Sequence, residues 1–375
     1  MPDLYVTPRP TAVMTPRVTQ ADIARRAGVH RATVSLCLRN SPSIPEATRQ
    51  QIQTIAKEMG YQPDPVLQAL MAYRSSHLSN RRAITLAYVT NWDTKWGWRS
   101  ASAHRSFFEG AARRSTQLGY SLDHFWLKEP ELSQQRMSDI LFNRGIDGII
   151  LASHIQSDSE SLDFDWTKFS AVKIDCFPRR LALHSISNDQ RKIVQLTVRR
   201  IVDAGYRRIG FILPPKWDEL ADFAWSAGFL AEQARLPGTE HVPIHYLPET
   251  AGSEQTLSKD DQDGVAAWFR LHRPEVIISH AQYVSPVFKR IGLNIPGDVA
   301  YVDIFVEQPD GKTAGVFENS ERVGEIAVEV LAGQLLQNIR GVPDMATATL
   351  VEGTWVEGAS LPLRPTSRGP KAVSP

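Results

Sequence analysis

The sequence predicts an N-terminal all-α helix-turn-helix headpiece with a hinge helix, followed by a two-lobed α/β domain of parallel, doubly wound sheets. Three observations predict it. Residues 18–40, VTQADIARRAGVHRATVSLCLRN, read as two helices joined at a glycine. Residues 17–82 carry ten basic and four acidic side chains, a net +6 in a chain whose formal net charge is +1, so the remainder is acidic. From Ala83 onward short apolar runs alternate with amphipathic stretches, the pattern of parallel sheets covered on both faces.

A length of 375 residues exceeds one typical domain. No apolar run approaches the ~18 residues of a membrane span, so no membrane partner is expected. The first 17 residues are Pro-rich, lack an apolar h-region and are expected to be disordered. Met14 is a second candidate start. Two cysteines, Cys37 and Cys176, fit a reducing cytosol, so the expected location is cytoplasmic, on the nucleoid. Residues 361–375 are expected to form a second loose tail.

The headpiece is assigned to residues 18–62. Thr19 and Asp22 are spaced as a capping box, and Val18 and Ile23 as a hydrophobic staple. Gly28 ends the first helix. The second begins near His30 and turns Val34, Cys37 and Leu38 inward by i, i+3, i+4 spacing. Arg31, Ser35 and Arg39 share another face, with Ala32 and Leu36 beside them. A third helix runs from about Pro45, with Ile52, Ile55, Ala56 and Met59 as its apolar stripe.

This division suits a helix that enters a DNA groove. Arg31 sits where a bidentate contact to guanine is easy, and Ala32 and Leu36 offer apolar contact to a thymine methyl. Thr19, Thr33, Ser35 and Thr48 are candidate phosphate donors. Gln20 and His30, at the starts of the two helices, complete the expected DNA face. A generic three-helix unit with a solvated basic face is the competing reading.

Residues 63–82 are expected to form a hinge helix and linker. Asp64 can cap, Pro65 can take the first helical position, and about two turns follow. So short a helix needs a partner. Leu70 at its end either wedges into a minor groove or packs on the larger body.

In the body, assigned to 83–360, strands are expected at 84–89, 148–152, 171–175, 209–213, 276–279 and 299–304. Helices are expected near 104–118, 133–144, 189–204, 219–235, 260–272, 283–292 and 320–338. Ligands of such folds lie beyond the carboxyl ends of the strands, between the lobes. The residues there are Asn91, Trp92, Ser153, His154, Asp175, Cys176, Trp217, Asp218, His280, Gln282 and Phe305. Aromatic faces beside fixed polar groups suit a sugar or a nucleoside. The loop NWDTKWGW carries Trp92, Trp96 and Trp98, which either line the pocket or pack the lobe; Trp92 is the favoured pocket residue.

Enzyme signatures are missing. There is no G-x-G-x-x-G and no G-x-x-x-x-G-K-[ST]. In AWSAG, residues 224–228, Ala224 replaces the first glycine of a nucleophile elbow, so Ser226 reads as an ordinary helix residue. Pro243 between His241 and His245 forbids a helical metal pair. No cofactor, metal or catalytic activity is expected. A plain solute-binding protein would need an export signal and no basic head.

Residues 18–40 together with GYQPDPVLQAL, 60–70, resemble the DNA-binding headpiece and hinge helix of the lac repressor family of bacterial transcription regulators. HSISNDQRKIVQLTVRRIVDAGYRRIGFIL, IGLNIPGDVAYVDIF and TAGVFENSERVGEIAVEVL resemble that family's effector domain, which is similar to periplasmic sugar-binding proteins. The likeness covers roughly residues 18–358.

The resemblance implies a repressor that binds a near-palindromic, double-stranded DNA operator as a homodimer, with a tetramer left open. It also implies a small-molecule effector, a sugar or related metabolite, in the cleft. Arg31 and Ala32 match the main base-reading positions. Ser35, Arg39 and Tyr61 match backbone or base contacts, and Leu70 the inserted hinge leucine. Some positions depart from the pattern. Leu36 stands where many members have arginine, and Asp64 and Pro65 where asparagine and arginine are usual. Trp225 stands where many have an effector-binding arginine, and the usual Asn-Asp and Asp-Asp pairs are replaced near Gln282 and at Asp303-Ile304-Phe305. A simple hexose is therefore a poor expectation.

Overall fold

The structure is a computed structural model. It describes residues 18–38, 44–61, 84–152, 162–247 and 257–364, without the side chains of 239 and 281–283. The amino-terminal tail, Arg39, the hinge with Asp64, Pro65 and Leu70, His154, and residues 365–375 lie outside the described residues. The chain divides into two compact units, 1–81 and 82–375.

The first unit holds α1 (Gln20–Ala27), α2 (Arg31–Leu38) and α3 (Glu46–Glu58). The capping box forms: Asp22 N–H donates to Thr19 Oγ1 at 3.4 Å, and Thr19 N–H to the Asp22 carboxylate at 2.9 Å. Gly28 takes φ 68°, which only glycine adopts without strain. Ile23, Ala24, Val34, Cys37, Ile52 and Ala56 make the core, and Val18 and Met59 pack on it. A core this small is marginal, so a cap worth ~1 kcal/mol matters. Gln53 adds a tie by donating to the Cys37 carbonyl at the end of α2. α2 starts at Arg31, where a helix beginning near His30 was expected.

The second unit contains two six-stranded sheets. The first combines β1 (Ile84–Thr90), β2 (Tyr120–Trp126), β3 (Gly148–Ala152), β4 (Ser170–Ile174), β5 (His184–Asn188) and, from far downstream, β11 (Ala348–Val351). Its order is β2-β1-β3-β4-β5-β11, all parallel. Alternate residues bury on opposite faces: Leu86, Tyr88 and Ile150 on one, Ala87, Val89 and Ile149 on the other. Helices α4 (Ser102–Gln117) and α11 (Ser320–Gln337) cover the first face, and α5 (Gln134–Asn143) the second. The first pair is very close: a Cβ on Gly324 would lie 1.9 Å from the Phe107 carbonyl oxygen.

The second sheet has the order β7-β6-β8-β9-β10-β12. Its strands are β6 (Ile209–Leu213), β7 (His245–Tyr246), β8 (Val276–Ser279), β9 (Ala300–Asp303), β10 (Ala314–Phe317) and β12 (Thr354–Val356). It is parallel except that β12 runs antiparallel to β10, a correction to the all-parallel expectation. Helices α6 (Gln190–Asp203) and α8 (Ala224–Gln233) pack one face, and α9 (Lys259–His272) with α10 (Ala281–Ile291) the other.

Two further expectations change. The single helix at 219–235 is two, α7 (Pro215–Leu220) and α8, because Asp222 and Phe223 take φ 55° and 58°. The loose tail does not begin at 361: Leu361 is buried, Arg364 N–H donates to the Ala204 carbonyl, and Tyr206 Oη donates to the Pro362 carbonyl. The strands β2, β5, β7, β10, β11 and β12 were not expected.

The chain passes between the lobes three times among the described residues: from β5 to α6, from β10 to α11, and from β11 to β12. Side chains lace these crossings together. Asn188 Nδ2 donates to the Glu318 carbonyl at 2.6 Å, Ser320 Oγ to Asn188 Oδ1 at 3.3 Å, and Asn319 Nδ2 to the Glu352 carbonyl at 2.8 Å.

Candidate functional site

In the head, His30 just before α2 and Arg31 and Ala32 in its first turn are exposed, with Thr33, Ser35 and Leu36 half-buried beside them. Val34 and Cys37 face the core. No acid stands in the first turn of α2, so nothing there repels a polyanion. His30 has a second task that sequence reading missed: its Nδ1 accepts the Ala32 N–H at 3.2 Å and caps the helix. Gln20 Nε2 donates to Tyr61 Oη at 3.2 Å, which brings two of the expected DNA-contacting residues together. The Thr19 hydroxyl proton is committed to Asp22 at 2.6 Å, leaving only its oxygen lone pairs outward. Thr48 is half-buried on α3.

In the second unit, the strand carboxyl ends of both lobes meet the crossings. From the first lobe, Asp175 follows β4 with φ 65° and accepts a hydrogen bond from Ser187 Oγ at 3.0 Å. From the second, His280 follows β8 and pairs with Asp303 at 3.2 Å. Asp303 also accepts the Phe305 N–H at 2.8 Å and the Tyr301 hydroxyl at 3.1 Å. Between them, Trp225 Nε1 donates to Gln190 Oε1 at 2.6 Å and Gln190 Nε2 donates to Glu318 Oε1 at 2.9 Å.

Four aromatic rings form one wall of this region. Trp217 stacks on Trp225 with centroids 6.4 Å apart, Phe305 stands edge-on to Trp225 at 5.2 Å and to Trp217 at 6.1 Å, and His280 meets Phe305 at 5.3 Å. The structure thus assembles Trp217, Trp225, His280 and Phe305. The Gln282 side chain is outside the described set.

Electrostatics mark the same place. Burial lifts Asp175 to about 6 and Glu318 to about 7; Gln190 opposes the shift of Glu318, and the Asp175 charge adds to it. The His280 field also reaches Glu318. One residue from each lobe and one from a crossing therefore share an electrostatic neighbourhood.

The loop after β4 spans the gap. The buried Lys173 ammonium donates to the carbonyls of Cys176, Pro178 and Leu181 at 3.0, 2.9 and 3.0 Å, holding the loop in shape. Arg179 then reaches the second lobe, pairing with Asp222 at 2.9 Å and donating to the Glu219 carbonyl at 3.0 Å. Cys176 Sγ donates to the Leu220 carbonyl at 3.2 Å, and burial raises its thiol to about 11. A thiol held so firmly protonated is a poor nucleophile.

The tryptophan-rich loop divides. Trp98 is buried against Tyr88, Phe108 and His124 and packs the lobe. Trp96 is exposed under the Arg99 guanidinium at 4.0 Å. Trp92 lies beyond β1, edge-on to the half-buried His104 at 5.0 Å, and Asn91 is buried beside it. Ser226 is an ordinary helix residue whose hydroxyl donates to the Phe223 carbonyl at 3.2 Å.

Gln190, Glu318, Asp303, Ser187 and Arg179 were missed. The rule of searching beyond strand ends would have found Gln190 and Glu318 had β5 and β10 been recognised.

Residues 19–64 match the family model described as bacterial regulatory proteins, lacI family. The HTH-type transcriptional regulator reg1 of Streptomyces lividans is 27% identical over 201 residues, 52% of this chain and 53% of that protein. The chain spans about half the length of the first curated relatives it matches. Among solved structures, the transcriptional regulator CelR–cellobiose complex aligns with a TM-score of 0.53 at 18% identity, covering 90% of this chain and 98% of that one. The lac repressor dimer bound to operator and the anti-inducer ONPF aligns with a TM-score of 0.53 at 16% identity, covering 92% and 99%. At these identities the structural likeness is one of fold.

Proposed function

We infer, from a head that belongs to the lacI family of bacterial regulatory proteins joined to a body with the lac repressor fold, that this chain is a DNA-binding transcription regulator. It acts as a repressor on a near-palindromic operator, as a homodimer, under control of a small molecule in the interlobe cleft. The observation that carries this reading is the capped α1–Gly28–α2 corner. It buries Val34 and Cys37 and leaves His30, Arg31 and Ala32 outward within the family match.

The mechanism follows from linked equilibria. Basic residues of the head meet phosphates and give salt-dependent affinity. Arg31 reads a guanine edge and Ala32 with Leu36 an apolar one, while Thr33, Ser35, Thr48 and the Gln20–Tyr61 pair orient the helix. Leu70 wedges at the operator centre when two hinges pair. A ligand shifts the body only by binding one arrangement of its lobes more tightly than the other. The aromatic wall of Trp217, Trp225 and Phe305 and the polar groups Asp175, Gln190, His280 and Glu318 are the ligand contacts, together with Trp92 and Asn91 at the carboxyl end of β1.

An enzymatic role finds less support. The Cys176 thiol is held protonated, and the Ser226 hydroxyl is used by its own helix. The test is a gel shift of the purified chain on the promoter region of its own operon, titrated with salt. Retardation of that fragment over a scrambled one of equal length is the expected result. Equal binding to both sinks the proposal.

A further inference from the structure

We propose that Glu318 is a proton-operated catch between the lobes: protonated, it completes the hydrogen bonding of the arrangement described, and ionised, it favours one in which water reaches it. The device lies in the hinge, and it gives the molecule a second input, pH, independent of whatever the cleft binds.

The first support is a count of protons. Ser320 Oγ lies 3.3 Å from Asn188 Oδ1 and 3.3 Å from Glu318 Oε2. Both oxygens are acceptors when Glu318 is ionised, and a hydroxyl has one proton to give. One of the two is then short of a donor, at a place where Asn188, Glu318 and Ser320 are all buried. A proton on Glu318 Oε2 removes the conflict. The carboxyl donates to Ser320 Oγ, Ser320 donates to Asn188 Oδ1, and Asn188 Nδ2 donates to the Glu318 carbonyl at 2.6 Å. The ring so closed ties the β5–α6 crossing to the β10–α11 crossing. The proton comes from solvent and returns to it when the lobes part.

The second support is what surrounds the carboxyl. From α6, Gln190 Nε2 donates to Oε1 at 2.9 Å, and its orientation is fixed because its own oxygen accepts the Trp225 indole N–H. Lys192 on the same helix pairs with Glu352 and Asp189, and Glu321 on α11 pairs with Arg113. No lysine or arginine pairs with Glu318 among the described residues. Across the junction Asp175 adds like charge, and His280, bonded to Asp303, opposes it. Burial outweighs the opposing contacts and carries the Glu318 carboxyl from its ordinary 4.5 up to about 7. The buried arrangement therefore binds the proton more tightly than an open, hydrated one. Its advantage is whole below about pH 4.5 and declines by up to about tenfold per pH unit until about 7. α11 carries the change onward to α4. A Cβ on Gly110 would lie 1.9 Å from the Glu321 carbonyl oxygen, and one on Gly324 as close to that of Phe107, so the two helices move as one.

The test is fluorescence energy transfer between dyes on the two lobes of the full chain, with no ligand added, compared at about pH 5 and about pH 8. The open-to-closed ratio of the parent should rise by about tenfold or more between them. Glu318→Gln keeps the shape and cannot ionise, and it should remove most of that rise. Asp175→Asn takes away a repelling charge and should shrink the rise. Gln190→Leu takes a donor from the ionised carboxylate and should enlarge it. These last two, with opposite signs, serve if Glu318→Gln does not fold. A ratio that ignores pH in the parent overturns the catch. So does a rise that survives in full in Glu318→Gln, which would move the proton to Asp175 or His280. A parent whose Tm falls with pH while its interlobe distance stays fixed would make the buried acid a matter of stability alone, and overturns the catch equally.

Discussion

Arg179 of the first lobe and Asp222 of the second stand 2.9 Å apart, a charged contact across the gap between two sheets. Their side chains are 29% and 68% exposed, so water screens the pair and it contributes about 0–1 kcal/mol. That is small against global stability and large against the balance between two lobe arrangements. Arg179→Ala should leave Tm nearly unchanged and reduce the closed population by up to about fivefold. Fluorescence energy transfer between dyes on the two lobes would report it, and an unaltered distance distribution would remove Arg179 from the switch.

Arg31→Ala should relax discrimination at one base pair in each operator half by about 1–3 kcal/mol. Competition with single-base operator variants separates this from uniform weakening, which would reduce Arg31 to a phosphate contact. Leu70→Ala, outside the described residues, should cost more affinity on operator than on random DNA. Equal losses would dismiss the wedge.

Stability should fall as pH rises through neutrality. Burial raises Glu318 from 4.5 to about 7 and Asp175 from 3.8 to about 6. An acid whose folded pKa is raised binds its proton more tightly in the folded state, so the stabilisation is complete below about pH 4 and is lost by pH 7–8. Glu318→Gln should therefore flatten this slope and raise Tm at pH 8 relative to the parent, with little difference at pH 4–5. A loss on the order of 2–3 kcal/mol between those limits is the expected scale for Glu318 in the parent. Identical pH profiles of parent and variant would place the strain elsewhere.

Gly324→Ala should destabilise the first lobe by about 1–3 kcal/mol, since its methyl would press on the Phe107 backbone and neither helix can yield without the other. Denaturant titration measures this. A neutral result would mean that α4 and α11 separate freely.

Much of this organisation was legible because long apolar strands announce themselves. GIILA and IGFIL are buried at every residue, and both were found in the expected places. β5 was not, because HSISN carries a single apolar residue, Ile186, among four polar ones and so shows no apolar run. β10, AGVF, is short and opens on small residues, with Gly315 lodged against the Asp303 backbone. Gln190 and Glu318 follow those two strands, so the hydrogen-bonded heart of the cleft escaped notice. The break between α7 and α8 carries no glycine or proline; left-handed Asp222 and Phe223 make it, a conformation that tertiary contacts impose. Trp98 and Trp92 share one loop and one residue type, and only the packing of Tyr88 and His104 separates their fates.

The three passages of the chain between lobes among the described residues have a mechanical consequence. One strand would leave the halves free to slide, twist and swing. Three, cross-braced by Asn188, Ser320 and Asn319, forbid sliding and leave rotation about their common line as the soft coordinate. Whatever occupies the gap is thereby translated into a single angle, which is the simplest form in which a chemical event can be handed to a distant part of a molecule.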